Sequence, residues 1–139
     1  MTYSGIRKEK NTEYARLDRA RHLEVRRAHA RARKKYRYDN DPVFKLKTLI
    51  RNRISKILRP STKPATSMQL VGCSAEELKE YLTQQFTTGM SWNNYGKWHV
   101  DHRESFASID IDDAESVRRV CHYSNLQPLW AADNIRKGG

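Results

Sequence analysis

Four residues in the last third of the chain are of types that could together supply a general base and oxygen ligands for a metal ion. Asp101 and His102 are adjacent, and Asn125 and Asn134 follow with eight residues between them. A neutral imidazole, with an ordinary pKa of about 6.5, can accept a proton from water around neutral pH. Oxygens of Asp and Asn side chains suit a hard cation such as Mg²⁺, which stabilises charge on a phosphate and its leaving oxygen.

Two short strands and a helix are predicted to position these side chains. Alternation of apolar and polar residues predicts a strand that carries Asp101 and His102 at its end. The connecting stretch contains a predicted helix, with Asp112 as its N-cap. Residues 125–130 predict a second strand, and residues 131–137 predict a final short helix.

Three helices are predicted ahead of this region. Residues 7–37 lack Gly and Pro and hold thirteen Lys and Arg against four acids, which predicts a long basic helix without a continuous apolar stripe. A solvated basic tail is the alternative. Residues 41–58 predict an amphipathic helix with Asp41 as N-cap, and Ser74 begins a third helix with a capping box. The stretch S-T-K-P-A-T-S at 61–67 predicts a linker.

A loop rich in aromatic residues is predicted just before the first strand. Its rings, Trp92 and Tyr95, together with Trp98, are expected to pack a small core. The alternative is that these rings stack on nucleic-acid bases.

The composition favours a polyanionic partner. The 139 residues carry a net charge of +11, and the sequence pI is about 9.9. Residues 1–70 hold 20 Lys and Arg against 6 acids, whereas residues 71–139 hold 7 against 10. A basic arm joined to a more neutral module follows from this asymmetry. An anionic membrane is the weaker choice of partner, because the long basic helix lacks a bulky apolar face.

Cysteine usage and hydropathy restrict the class of protein further. No stretch has the run of about 18 apolar residues that a membrane span requires, and the N-terminus lacks the apolar core of a signal peptide. Cys73 and Cys121 form no C-x-x-C pair, which argues against a disulfide framework and a four-cysteine zinc site. The expected setting is reducing and cytoplasmic.

The motif D-H, then N-L-Q-P-L, then N-I-R-K-G, carried on strand, strand and helix, resembles that of the HNH or ββα-metal endonucleases. It is similar above all to the small HNH proteins of phages. The resemblance implies an α+β, mostly helical fold: basic helices at 1–60 that form a DNA-binding arm, a linker at 61–67, and a compact HNH module at 68–139 without a zinc knuckle.

The resemblance also implies roles for the four residues. His102 would be the general base, and Asn125 would hold the histidine in its orientation. Asp101 and Asn134 would bind Mg²⁺ or Mn²⁺. The predicted function is therefore metal-dependent DNA endonuclease activity, a phosphodiester hydrolysis that nicks or cleaves DNA. The alternative is a non-catalytic, basic nucleic-acid-binding protein whose motif has decayed.

Several further residues are candidates for contacts with substrate. His99 lies two residues before Asp101 and could assist the metal or the phosphate, with a structural role as the alternative. His122 is expected to pack or cap, and Asp133 to belong to the first turn of the last helix. Phosphate contacts are predicted for ten basic residues: Arg26, Arg27, Arg33, Lys34, Lys45, Arg51, Arg53, Arg103, Arg136 and Lys137.

The resemblance to HNH endonucleases also implies the partners of the protein. DNA is the substrate and no membrane is involved. One motif makes one cut, so cleavage of both strands would need a homodimer or two binding events. Phage packaging or replication proteins are compatible partners, and a phage-encoded chain would act in the cytoplasm of the host cell.

Overall fold

The computed structural model describes residues 2–138 and divides them into two compact units after Asn40. The first unit is a single helix, α1 (Tyr3–Asn40), in which no residue is buried. It begins four residues before the predicted start and ends three residues after the predicted end. The predicted helix, basic and exposed, is confirmed.

The second unit begins at Asp41 with α2 (Pro42–Ile57). The Asp41 side chain caps this helix by accepting a hydrogen bond from the amide of Phe44 (3.0 Å), as predicted. Two short helices follow, α3 (Ser67–Val71) and α4 (Ala75–Thr83). Leu46, Ile50, Ile54 and Leu58 from the α2 region are all buried in the core that α3 and α4 share.

A two-stranded antiparallel sheet completes the unit together with two more helices. β1 (Trp98–His102) pairs with β2 (Leu126–Trp130), and Asp101 lies opposite Gln127 in the register. α5 (Ala114–Cys121) lies between the strands in the chain, and α6 (Ala131–Lys137) follows β2 directly. The fold is therefore α+β and mostly helical, as predicted, with a small antiparallel sheet.

The unit boundary and two element starts differ from the predictions. The boundary lies after Asn40 rather than at 61–67, because the apolar face of α2 is buried against α3 and α4. Within 61–67, Thr66 forms a capping box that starts α3, a helix that the sequence analysis missed. The N-cap of α5 is Asp113, not Asp112, because the amide of Asp112 bonds to Asp110 in a preceding turn (3.0 Å).

The aromatic loop packs as expected. Trp98 is fully buried, and the rings of Phe86, Trp92 and Tyr95 all contact it with centroid distances of 4.8 to 5.1 Å. The Trp98 indole also donates a hydrogen bond to the carbonyl of Ser91 (2.8 Å). This cluster anchors the start of β1 and so fixes where the strand delivers its last two residues.

Candidate active site

β1 ends in two adjacent buried polar side chains. Asp101 is 2% exposed and His102 is 3% exposed. Neighbouring side chains on a strand point to opposite faces, but at this strand end both residues line one cleft. Burying a carboxylate and an imidazole side by side is costly unless each is compensated, and such residues are candidates for function.

The Asp101 carboxylate is compensated by two donors from different elements. Its Oδ2 accepts a hydrogen bond from Gln127 on β2 (2.9 Å) and pairs with the ammonium of Lys137 on α6 (2.7 Å). The same ammonium donates to the carbonyls of His102 (2.7 Å) and Arg103 (3.3 Å). Lys137, predicted as a phosphate contact, therefore directs its charge at Asp101 in this structure.

His102 is held neutral by its surroundings. Burial lowers the pKa of His102 to about 4, and the positive charges of Arg53 and Lys137 act in the same direction, against the opposing effect of Asp101. Its ring lies against Phe106, with centroids 5.1 Å apart. The buried Nδ1 has no hydrogen-bond partner among residues 2–138. The imidazole is thus neutral at neutral pH, the form in which one ring nitrogen has a free lone pair.

The pair opens onto a basic cleft of about 370 Å³. Three cationic side chains line this cleft together with Asp101, His102 and Glu104: Arg53, Arg103 and Lys137. Arg53 reaches the cleft from α2, where its guanidinium donates to the carbonyl of Val100 (2.9 Å). An anionic group that entered the cleft would meet positive charge beside a neutral base.

Asn125 lies behind the site and acts on the backbone. Its Oδ1 accepts from the amide of Glu104 (2.9 Å), while its Nδ2 donates to the carbonyls of Glu104 (2.9 Å) and Val120 (2.8 Å). These bonds tie the segment after His102 to the end of α5. Asn125 was expected to hold the histidine ring. Its side chain instead bonds to the backbone at Glu104, two residues beyond His102, and at Val120.

Asn134 on α6 supplies an oxygen without a partner. Its Oδ1 is buried and has no hydrogen-bond partner within the described part of the chain. An orphaned amide oxygen and a carboxylate that already attracts a cation have the chemistry of a site for a hard divalent ion. Across residues 2–138, no group of three or more His, Cys, Asp or Glu side chains is placed to hold a metal, so such an ion would need water or substrate oxygens as well.

The remaining predicted residues fall into two groups. Lys45 and Arg136 are engaged within the protein: Lys45 lies 5.2 Å from the centre of the Tyr95 ring, and Arg136 pairs with Asp133 in the first turn of α6. The others lie on exposed surface: Arg51 on α2, and four residues of α1, namely Arg26, Arg27, Arg33 and Lys34.

The two other histidines of this unit have structural contacts. The ring of His99 packs edge-on against Tyr95, with centroids 5.7 Å apart. His122 caps the short turn after α5 by accepting from the amide of Ser124 (3.3 Å). The expectation that His122 caps is confirmed.

Sequence reasoning missed two contributors to the site. Gln127 was not singled out, although it lies within N-L-Q-P-L and directly opposite Asp101 once the strands are paired. Arg53 was expected only at the phosphate backbone, whereas it lines the cleft with His102. The register of the two predicted strands could have identified Gln127, but no sequence pattern shows which basic residue of α2 reaches β1.

The chain is similar to two uncharacterized proteins of Acanthamoeba polyphaga mimivirus. Protein L246 is 36% identical over 102 residues, and protein L426 is 28% identical over 103 residues. Each alignment covers 73% of this chain and 45% of the relative, so the chain spans less than half the length of these relatives. No family model and no solved structure matches the chain. Among the described helices none is long and apolar enough to cross a membrane.

Proposed function

We propose that the chain is a metal-dependent DNA endonuclease of the HNH type, which nicks or cleaves phosphodiester bonds. The observation that carries this proposal is the pair Asp101 and His102, buried at the end of β1 and opening onto a cleft lined by Arg53, Arg103 and Lys137. A base, a carboxylate that could hold a metal ion and three nearby cations form a set that suits hydrolysis of a phosphate diester.

In this proposal His102 takes a proton from the attacking water. Its depressed pKa keeps the ring neutral at neutral pH, so it is ready to accept that proton. The cations of the cleft hold the scissile phosphate and offset charge that develops on its oxygens. Asn125 keeps the segment after His102 in place through its three backbone hydrogen bonds.

Asp101 and Asn134 are the residues that would hold the divalent cation, and the fit is to Mg²⁺ or Mn²⁺, which prefer oxygen ligands. When bound, the cation would supply Lewis-acid stabilisation of the leaving oxygen. Lys137 donates to Asp101 Oδ2, so a cation held by this carboxylate would lie close to the ammonium. Release of the Lys137 ammonium from Asp101 would free it to contact phosphate.

The distribution of charge supports DNA as the substrate. Residues 1–70 hold 20 Lys and Arg against 6 acids, and the basic residues of α1 lie on exposed surface. Contacts of this kind are electrostatic, so binding should be strongly salt-dependent and weakly selective for sequence.

A basic protein that binds nucleic acid without cutting it is the second candidate. The exposed basic helix α1 favours binding irrespective of catalysis. The two candidates differ in the use of the Asp101–His102 pair, because a protein that only binds has no need of a neutral base in the cleft.

Supercoiled plasmid separates the two candidates. We expect nicking or linearisation with Mg²⁺, and none with EDTA or with His102→Ala. Intact plasmid in all three reactions, with equal retardation on a gel, would leave the binding protein as the better account.

A further inference from the structure

Charge is sorted around α1, the helix in which no residue is buried. Thirteen Lys and Arg and five Asp and Glu lie within Tyr3–Asn40. At about 3.6 residues per turn, seven of the basic residues fall on one side of the helix, within an arc of about 100° that contains no acid of Tyr3–Asn40. These seven exposed residues form the basic face of α1: Lys8, Arg16, Arg19, Arg26, Arg33, Lys34 and Arg37.

The rest of the helix surface is nearly balanced in charge. It carries all five acids against six basic residues. Two of those basic residues are engaged within the helix, since Arg31 pairs with Glu24 (2.8 Å) and Lys35 pairs with Asp39 (2.6 Å). Acids also border the basic face on its two flanks. The net positive charge of α1 is therefore concentrated on one side.

From this arrangement we infer that the basic face of α1 is a docking surface for the phosphate backbone of duplex DNA. The inference rests on the proposed function in taking DNA as the polyanion. From Lys8 to Arg37 the face extends for about 44 Å, at ~1.5 Å per residue, which matches roughly 13 base pairs of a straight duplex. A duplex carries about one charge per 1.7 Å of its axis, twice the density of one strand. A rigid row of cations suits that dense and straight array of phosphates.

The position of the aromatic residues of α1 argues against a single-stranded partner. Proteins that bind single strands stack the bases on aromatic side chains that lie among the cations. No aromatic residue of Tyr3–Asn40 lies within the basic face, and Tyr3, Tyr14 and Tyr36 lie on the opposite side of the helix. The basic face therefore offers charge to phosphates and no ring to an unpaired base.

The acids on the two flanks of the basic face determine how α1 lies on the duplex. Glu13 lies on one flank and Asp18 on the other. A helix with its side chains is about 10–12 Å wide and the major groove is ~12 Å wide, so a helix deep in that groove meets phosphates on both flanks. Both carboxylates would then face phosphates and be repelled. The helix therefore lies on the outside of the backbone, where its contacts carry no information about sequence.

Fluorescence anisotropy of the full chain with a labelled DNA duplex, in EDTA so that no strand is cut, tests this inference through the salt dependence of binding. Each phosphate contact contributes about −0.9 to the slope of log K against log salt concentration, so Arg26→Gln/Arg33→Gln should lower the magnitude of the slope by ~1.8. Arg26→Lys/Arg33→Lys keeps both charges and should keep the slope. Gln is nearly as favourable as Arg in a helix, so α1 stays helical in the glutamine variant.

The matched control is Arg7→Gln/Arg21→Gln, which removes two arginines from the acid-bearing side of α1. These two side chains would point away from the phosphates by more than the Debye length of about 10 Å at ~0.1 M salt, so the slope should change by less than ~0.5. An equal fall in slope for the two glutamine variants, or tighter binding of the matching single strand than of the duplex, would overturn the inference.

The outcome is separable from that of the plasmid experiment. The predicted difference in slope without nicking in Mg²⁺ would reject the nuclease and support the basic face as a docking surface. Nicking in Mg²⁺ with equal slopes for the two glutamine variants would support the nuclease and reject this docking surface.

Discussion

Asp101 is a buried carboxylate whose two donors, Gln127 and Lys137, come from a paired strand and from the last helix. Leaving such a group without partners would cost several kcal/mol, so the Lys137 ammonium stabilises the metal-free fold. If Asp101 holds the proposed divalent cation, this contact would compete with it, since the cation would have to displace the ammonium or share the carboxylate with it.

Removing the competing ammonium should strengthen metal binding. We expect Lys137→Met to bind Mn²⁺ several-fold more tightly than wild type in isothermal titration calorimetry, and to unfold at lower temperature without metal. Arg136→Met, one residue away and paired with Asp133, should leave the Mn²⁺ affinity unchanged. Weaker or equal Mn²⁺ binding by Lys137→Met would argue that Asp101 does not hold the cation.

The two thiols should differ in reactivity. Burial raises the pKa of Cys121 to about 11, and the side chain is 1% exposed. Burial also raises the pKa of Cys73, which is half-buried. The thiolate form reacts and is populated only as the pH approaches the pKa. At pH 8 a disulfide reagent should therefore label Cys73 slowly and Cys121 only after unfolding. Rapid labelling of both thiols in the folded protein would show that the core around α5 is open.

Elements bring together side chains that are distant in the chain. The candidate cleft is lined by Asp101 and His102 from β1, by Lys137 from α6 and by Arg53 from α2. The segment after β1 is held by Asn125, which bonds to the backbone at Glu104 and Val120. The position of the site therefore depends on backbone hydrogen bonds as much as on the strands.

Replacing Asn125 with alanine should lower both the stability of the fold and the rate of cleavage. Asn125→Ala removes three hydrogen bonds to half-buried or buried backbone, and each unsatisfied group costs about 1–3 kcal/mol. We expect the free energy of unfolding in urea to fall by at least ~2 kcal/mol, together with a lower cleavage rate. Asn93→Ala, at an exposed position, should change neither. A lost rate with unchanged stability would instead favour direct action of Asn125 on the reacting groups.

Local signals predicted most elements of the fold and the long-range contacts less well. Capping residues and apolar spacing predicted the bounds of α2, β2 and α6 to within a residue. They also predicted the start of α4 and the end of β1. The N-cap of α5 was predicted one residue too early. Asp113 is the N-cap, and the amide of Asp112 instead donates to the Asp110 side chain in the preceding turn. The Lys137–Asp101 pair and the approach of Arg53 to β1 join elements at least 36 residues apart, and no local pattern encodes such contacts.

At the scale of the whole molecule, the net positive charge lies in the first half of the chain and most residues of the candidate site lie in the second half. Residues 1–70 carry a net charge of +14, and residues 71–139, which include Asp101 and His102, carry a net charge of −3. A substrate would be held through many weak phosphate contacts and cut in one small cleft.

The assignment of His102 as the general base can be tested by comparison with His99, the other histidine of β1. His102 is buried, neutral and open to the basic cleft, whereas His99 packs on Tyr95. The measurement is the single-turnover rate of cleavage of a labelled DNA duplex with Mg²⁺ for wild type, His102→Ala and His99→Ala. Loss of a general base costs ~10²–10⁴-fold in rate, so we predict a fall of that size for His102→Ala and a change of less than about tenfold for His99→Ala. Equal rates for wild type and His102→Ala, or an equal loss in both variants, would contradict the assignment of His102 as the base.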